Sequence, residues 1–394
     1  MMNAARPVPR AILLDGPDVY LDRGAVVPAP AMEPAPLVLT RLLARLGDGG
    51  LVLISGRDQP SWSYLTAGGE GWIITGGPAW FTARCGKELL RLGRLADADP
   101  LNDPLLDSNP VTTVMRHRMF ADLTGVSFYG DGGTVAAVLM DQVINVRGAP
   151  PLRRWASTDA PKVNEPAWCG AWELPRPYSA QLTLDRNAQY LSGANDAFLP
   201  LDEPDHTGAI RFDGTRVGLW LITVPDNPEP RLPHPCGARA RPGSRAWCAQ
   251  PTMGLLDWLG CKLEVHDSWT GSRDRSRRAM KRWYDVLRDA RGALIGATDA
   301  DSLAIAQAIK DTYSRGVDHL AKDPRRRWYR PDWTAILRAQ VRVGMWRAMW
   351  QAGHIHDLWP CSTSTDSVSY EHPDPAPSYH LGTGMGQWKV TTDA

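Results

Sequence analysis

Nothing in the chain approaches the roughly 18 consecutive apolar residues of a membrane span. Residues 1–10 lack the apolar centre of a signal peptide, so a cytoplasmic protein is the expectation. Cysteine is sparse and unpatterned. Cys85, Cys169, Cys236, Cys248, Cys261 and Cys361 include no C-x-x-C pair, and no histidine pair completes a zinc pattern, which argues against structural zinc. The nearest candidate set, His234, Cys236 and Cys248, is loose and lies in a Pro/Arg-rich loop. His354 and His356, two positions apart, point away from each other on a helix. A phosphate loop is missing as well: the glycine-rich run at 125–133 has no Lys-Ser/Thr ending and reads as turn chemistry. Net charge is nearly absent, at +1, which by itself announces no nucleic-acid binder. No repeat at a solenoid period is visible.

What is there is a chain of 394 residues with 43% hydrophobic content, ordinary for a globular protein and enough for two or three domains. The charge is clustered. Arg273, Arg275, Arg277, Arg278, Lys281 and Arg282 fall in one short segment; Arg325, Arg326, Arg327 and Arg330 form another, interleaved with Trp328 and Tyr329. Such runs are either solvated helix faces or phosphate-binding surfaces. Arginine greatly outnumbers lysine, a pattern that base composition of the gene also produces.

Three regions follow from the hydrophobic periods and the prolines. Residues 1–147 read as an α/β domain. Its strands are expected at 11–14, 51–54 and 72–75, the last two buried, and its helices at 36–46 and 81–92. Residues 148–177 carry Pro150, Pro151, Pro161, Pro166, Pro175 and Pro177 and read as a linker. Residues 178–394 form the second domain, with strands at 218–224 and 261–265. Its helices are expected at 253–259, 275–290 (basic), 302–320 and 332–352, and residues 225–245 read as loop.

The second domain holds the chemistry. Leu182, Thr183 and Leu184 alternate as a short strand that runs into Asp185, and a helical pattern follows. Far downstream, residues 362–370 read as two strand halves with Asp366 between them. Taken singly, Asp185 fits a helix N-cap and Asp366 an ordinary hairpin residue. Taken together on one sheet, with Tyr190 nearby and Lys310 on an intervening helix, they supply what phosphoryl transfer from a nucleotide needs. Two carboxylates hold paired Mg²⁺ (or Mn²⁺) ions that activate the attacking hydroxyl and neutralise the leaving pyrophosphate. A cation then steadies the triphosphate.

From about residue 178 the chain resembles the polymerase half of the family B DNA polymerases, nearest to the short protein-primed enzymes of phages and linear replicons. The family's first palm motif, Asp-x-Asn-Ser-Leu-Tyr-Pro, is met by Asp185-Arg186-Asn187-Ala188-Gln189-Tyr190-Leu191, matching at Asp185, Asn187 and Tyr190. Its third motif, Asp-Thr-Asp-Ser, is met by Ser364-Thr365-Asp366-Ser367, keeping the second Asp. A Gly-rich stretch after that motif is similar to residues 381–388. The second motif is shorter here, at Lys310-Asp311-Thr312-Tyr313-Ser314-Arg315-Gly316, without the Asn-Ser-x-Tyr that faces the base pair. The resemblance implies an α+β fold: a palm with an antiparallel sheet, helical fingers, and an N-terminal α/β domain of degenerate exonuclease-like type. It implies Asp185 and Asp366 as metal ligands and catalytic residues, with Tyr190 stacked under the deoxyribose to exclude a 2′-hydroxyl. Lys310 and Arg288 would be triphosphate ligands, and Arg275, Arg277, Arg278, Lys281 and Arg282 would lie along DNA.

Two departures stand against it. The chain ends soon after Asp366, so the family's Lys-x-Tyr motif and thumb are expected to be missing. The exonuclease motif Asp-x-Glu, whose acids share one strand face, is replaced by Asp15-Gly16-Pro17-Asp18, and no exonuclease activity is expected. Two functions remain open. One is a reduced DNA polymerase or nucleotidyltransferase acting on DNA and deoxynucleoside triphosphates, with a priming protein or a thumb-supplying subunit as partner. The other is a non-catalytic nucleic-acid-binding accessory protein or regulator of replication or telomeres. Retention of both acids favours the first, since a pure binder gains nothing from a repulsive pair.

Overall fold

A computed structural model describes residues 11–15, 18–21, 26–28, 33–48, 50–54, 65, 67, 69–76, 80–94, 103–144, 169–170, 180–237, 240–324, 326–364 and 366–391. It is a mixed α/β structure with several sheets and, among the described residues, eight α-helices. The chain divides into two compact units, Met1–Val143 with Val286–Gly316, and Ile144–Asp285 with Val317–Ala394. Val286–Gly316 thus groups with the N-terminal residues although it lies within the 178–394 stretch. Apart from one short strand, the proline-rich 148–177 segment lies outside the described residues. No described helix is long and apolar enough to cross a membrane.

The first unit is built on a seven-stranded sheet. Its elements are β1 (Ala11–Asp15), β2 (Asp18–Leu21), β3 (Val26–Pro28), α1 (Ala35–Leu46), β4 (Gly50–Ile54), β5 (Ile73–Gly76), β6 (Trp80–Cys85), β7 (Glu88–Arg94), α2 (Pro110–Thr124) and α3 (Gly132–Val143). The sheet order is β3-β2-β1-β4-β7-β6-β5, with β1, β4 and β7 parallel. Parallel strands are covered on both faces and read as unbroken apolar runs, and alternation sorts them here. Ile12, Leu14, Val52 and Ile54 pack with Val38, Leu39 and Leu42 of α1. Ala11, Leu13, Leu51 and Leu53 pack with Val114 of α2 on the other face.

Three expectations for this unit change. The helix expected at 81–92 is the β6–β7 hairpin, turned at Gly86 with φ +60. Leu89, Leu90 and Leu92 imitate a helical spacing, but Ala83, Leu90 and Leu92 are the residues the pleat buries. The expected buried strand at 72–75 is the sheet's edge, where Ile73 is 66% exposed. In the glycine-rich run, Gly125 and Gly130 adopt positive φ as turns require. Gly132 instead begins α3, where a Cβ would come within 2.4 Å of the main chain at Asp311. Asp15 and Asp18 are register partners on β1 and β2, in line with the expected break of the Asp-x-Glu spacing.

The second unit opens with β8 (Cys169–Gly170), β9 (Leu182–Arg186), α4 (Gln189–Asp196), β10 (Leu199–Pro200), β11 (Asp205–His206), β12 (Arg216–Thr223), β13 (Arg245–Ala249) and α5 (Gln250–Trp258). It continues through β14 (Val265–Ser272) and β15 (Ser276–Arg277) to α6 (Lys281–Gly292) and α7 (Ala300–Lys322), within which the division of units falls. α8 (Pro331–His356), β16 (Pro360–Ser364), β17 (Ser367–Tyr370) and β18 (Trp388–Thr391) complete it. Three antiparallel sheets result: β18-β9-β17-β16-β8, β11-β14-β12-β13, and the pair β10-β15. α8 is the central beam. Val343, Met345, Trp346 and Met349 pack against Leu182 and Leu184 of β9 and Val368 and Tyr370 of β17. Full burial of each such side chain is worth about 1.5–3 kcal/mol.

The basic helix expected at 275–290 begins only at Lys281. Before it, Arg273–Arg275 is a single 3₁₀ turn capped by Ser272, and Ser276–Arg277 pairs with Leu199–Pro200. Strand pairing with a distant segment overrides the local helical pattern. The strand expected at 261–265 starts where that expectation ends, at Val265. The second arginine run is not a solvated face throughout. Arg330 is 1% exposed and donates to both oxygens of the equally buried Asp332 and to the carbonyls of Pro200, Leu201 and Asp202.

Candidate functional site

Alternation along β9 decides what the central strand offers on each side. Leu182 and Leu184 are buried against α8, so Thr183 and Asp185 take the opposite face. Directly opposed residues of neighbouring strands share a face. Ser367 and Ser369 of β17 therefore lie beside Asp185 and Thr183, and Lys389 and Thr391 of β18 flank them on the other side. The result is a polar sheet face. Thr183 Oγ1 and Ser369 Oγ are 3.0 Å apart, and Thr391 Oγ1 donates to the Thr183 carbonyl at 3.1 Å.

Asp366 occupies the turn between β16 and β17, half-buried. Its backbone N–H donates to the Ser364 carbonyl at 2.6 Å, and its carbonyl accepts from the Arg186 N–H at 2.8 Å. The last bond ties the β16–β17 turn to the residue after Asp185, so the two acids stand at the same end of adjacent antiparallel strands. Asp185 is not a helix N-cap: that position in α4 belongs to Ala188, in the left-handed region at φ 49, without a side-chain cap.

Between Asp185 and Tyr190 the chain is held by the glycine-rich stretch. Asn187, 6% exposed, donates through Nδ2 to the Gly382 carbonyl at 2.8 Å. Its backbone exchanges bonds with Gln387 and Gly386 at 2.9 and 2.8 Å. Gly386 has φ +73, a conformation glycine adopts without strain. Tyr190 follows in the first turn of α4, half-buried, next to Gln189, whose Nε2 meets Met345 Sδ at 2.9 Å.

Two residues of this site escaped the sequence reading. Lys389 Nζ lies 2.8 Å from Asp185 Oδ2, with the two side chains 51% and 21% exposed. Arg186, on the opposite face, donates to the Gly386 carbonyl at 3.3 Å, and its guanidinium lies 5.8 Å from the Trp388 ring. Burial pushes its pKa down from the usual value, with Asp196 acting in the other direction. The signal for Lys389 was its place one residue after Trp388; which strand it would face was not in the local pattern.

The other expected site residues are distributed. Lys310, exposed on α7, and Arg288, on α6 and paired with Asp289 at 2.7 Å, belong to the first unit, whereas Asp185, Asp366 and Tyr190 belong to the second. Of the basic segment, Arg275 donates to Asp202 at 2.8 Å and Lys281 to Asp285 at 2.9 Å. Arg278 lies 5.5 Å from the Phe198 ring, which Arg273 approaches at 4.7 Å. Arg277 and Arg282 are exposed.

No protein-family profile matches the chain, and no curated protein matches its sequence. Solved structures do match. Phi29 DNA polymerase complexed with primer-template DNA, as the post-translocation binary complex, gives a TM-score of 0.52 at 11% identity, over 94% of this chain and 80% of that one. The ternary complex with primer-template DNA and incoming nucleotide substrates gives 0.52 over the same shares. Phi29 DNA polymerase complexed with single-stranded DNA gives 0.50, also at 11% identity, 94% and 80%. The fold is similar to that of phi29 DNA polymerase. At this identity the likeness is one of fold.

The donor set of the acid pair suits a hard cation. Carboxylates borne at the end of neighbouring strands would offer oxygen ligands of the kind Mg²⁺ and Mn²⁺ take. Asp185 already accepts a cation, the Lys389 ammonium, so its oxygens are directed and partly open to solvent. No cluster of three or more His, Cys, Asp or Glu able to hold a metal occurs among the described residues. His234 is occupied otherwise: its Nδ1 accepts from the Cys236 N–H at 3.0 Å, and its Nε2 lies 3.0 Å from the Pro225 carbonyl.

Proposed function

We propose that the chain is a reduced DNA-directed DNA polymerase or nucleotidyltransferase of the protein-primed family B type. In this reading residues 1–147 are a degenerate exonuclease-like domain, 148–177 a connection, and 178–394 a palm with fingers. The observation that carries it is the pairing of β9 with β17 in a polymerase-like fold, which brings Asp185 and Asp366 to one end of the sheet. Asp185 and Asp366 hold Mg²⁺ or Mn²⁺. When bound, the metal supplies charge neutralisation at the triphosphate and a more acidic primer hydroxyl. Asn187 and Arg186 position the strand that bears Asp185 by gripping residues 382–387. Tyr190 closes the space beside the sugar. Lys310 and Arg288 bind the triphosphate, and Arg275, Arg277, Arg278, Lys281 and Arg282 hold DNA through its phosphates. DNA, deoxynucleoside triphosphates and a priming protein or thumb-supplying subunit are the partners.

One observation favours the second reading, a non-catalytic nucleic-acid-binding protein derived from a polymerase. Lys389 neutralises Asp185 at 2.8 Å, so the acid has a structural partner without any metal. Primer extension with labelled deoxynucleotides and Mg²⁺ or Mn²⁺ separates the two. Extension by the wild-type chain that is lost in Asp366→Ala supports the enzyme. DNA binding without extension, unaltered by Asp366→Ala, supports the binder.

A further inference from the structure

Away from the acid-bearing sheet, the second unit gathers three thiols. Cys236 in the loop after β12, Cys248 on β13 and Cys261 after α5 converge on Trp220, Ile222, Met253 and Leu256. None is in a disulfide. Cys248 is 1% exposed, whereas Cys236 and Cys261 are partly open. The Cys236 side chain is hydrogen-bonded to that of Cys248, and its backbone N–H donates to His234 Nδ1 at 3.0 Å. Arg342 of α8, 6% exposed and donating to Thr252 Oγ1 at 2.9 Å, places a buried positive charge toward the same sulfur.

These neighbours act in one direction. The hydrogen bond from Cys248 is the largest influence; against it burial pushes upward, and His234 and Arg342 then reinforce the downward pull. The Cys236 thiol is lowered to about 5. Two other thiols go the opposite way: burial pushes Cys261 up, as does the negative Cys236 beside it, and burial pushes Cys361 up. A partly open thiol in hydrogen-bond contact with a second thiol, with His234 and Arg342 beside it, is the arrangement of a redox-active pair. A metal does not account for it, because both His234 nitrogens are engaged.

We propose that Cys236 and Cys248 are a reversible oxidation site that takes hydrogen peroxide and closes a disulfide. The Cys236 thiolate attacks the peroxide O–O bond. A sulfur–oxygen bond forms, the O–O bond breaks, and the departing hydroxide takes a proton to leave as water. Cys248 gives up its proton and its sulfur attacks the Cys236 sulfenic acid. The S–S bond forms, the S–O bond breaks, and a second water leaves. The two thiols lose two electrons and the peroxide gains them. A dithiol returns both to thiols by exchange. The bond fastens the Cys236 loop to β13. That loop already braces α8, since Trp346 Nε1 donates to the Pro233 carbonyl at 3.0 Å.

The test uses the full chain, reduced, treated with hydrogen peroxide, blocked by alkylation and digested without reductant for mass spectrometry. A Cys236–Cys248 cross-linked peptide that dithiothreitol abolishes is the expected result. In Cys248→Ser, dimedone should collect on Cys236 instead. If that variant does not fold, competitive alkylation of the wild type at about pH 5.5 gives the same information: Cys236 should label at least about tenfold faster than Cys261 or Cys361. Recovery of Cys236 as a free thiol after peroxide overturns the proposal. So does a cross-link through Cys261 or between chains, or labelling of Cys236 no faster than of its neighbours.

Discussion

Single residues of the same type do different work in this chain, and burial separates them. Arg277 and Arg278 lie at the surface, but Arg330, from a run of similar appearance, is enclosed with Asp332 and bonds three carbonyls of the 200–202 segment. Removing one partner of a buried pair leaves the other charge uncompensated, at a cost of about 3–5 kcal/mol. Arg330→Met should therefore lower unfolding stability in urea by about that amount, and a loss under about 1 kcal/mol would place Arg330 among ordinary surface ion pairs. Tyr190 is tested by its effect on sugar choice. In a chain that incorporates nucleotides, Tyr190→Val should raise ribonucleotide use relative to deoxyribonucleotide use, by about tenfold for a contact of about 1.4 kcal/mol. An unaltered ratio at full activity removes the ring from the sugar site.

At the scale of elements, the segment from Arg273 to Arg282 shows how pairing with a distant strand re-sorts a charge run. Because β15 joins β10, the basic side chains are divided among a 3₁₀ turn, a short strand, the connection after it and the first turn of α6, and do not line one helix face. Arg275 and Lys281 are partly spent on Asp202 and Asp285, which leaves the exposed Arg277, Arg278 and Arg282 as the better phosphate contacts. The double variant Arg277→Glu with Arg278→Glu should weaken DNA binding at low salt and reduce the slope of log K against log salt by about 2. Filter binding across a salt series measures it, and an unchanged slope would make the segment a solvated surface. The β6–β7 hairpin carries the same lesson. Its leucines match a helix period, but the core behind it takes every second residue, and the Gly86 turn reverses the chain before a helix can form.

For the molecule as a whole, the acid pair is a question of linkage. A cation that binds the folded chain and not the unfolded one raises stability by mass action, by about 2.7 kcal/mol at a hundred times its dissociation constant. Mn²⁺ should therefore raise the Tm of the wild-type chain, and Asp185→Asn and Asp366→Asn should each remove that response. Lys389 refines the expectation. Lys389→Ala deletes the built-in counter-charge of Asp185, so the metal-free Tm should fall slightly, as for a half-exposed pair worth about 0–1 kcal/mol, and the Mn²⁺ response should grow. Equal responses in Lys389→Ala and both Asp→Asn variants would mean that the acids do not share a cation, and the binding-protein reading would then be the better one.

Local pattern determined much of this protein. The alternation of residues 182–184 and of 367–370 placed two strands, apolar period placed α1, α7 and α8, and proline and glycine marked most of the ends. The spacing of Asp185, Asn187 and Tyr190 pointed to one connected segment, because those residues are neighbours in the chain. Tertiary structure alone decided which strands lie side by side. It set Lys389 against Asp185 across more than half of the second unit's sequence, drew the Asn187 amide to Gly382, paired residues 276–277 with 199–200, and enclosed Arg330. The physical reason is range. Helix and strand periods are carried by residues a few positions apart, whereas cross-strand register and the burial of a charge depend on which distant surface arrives to exclude water.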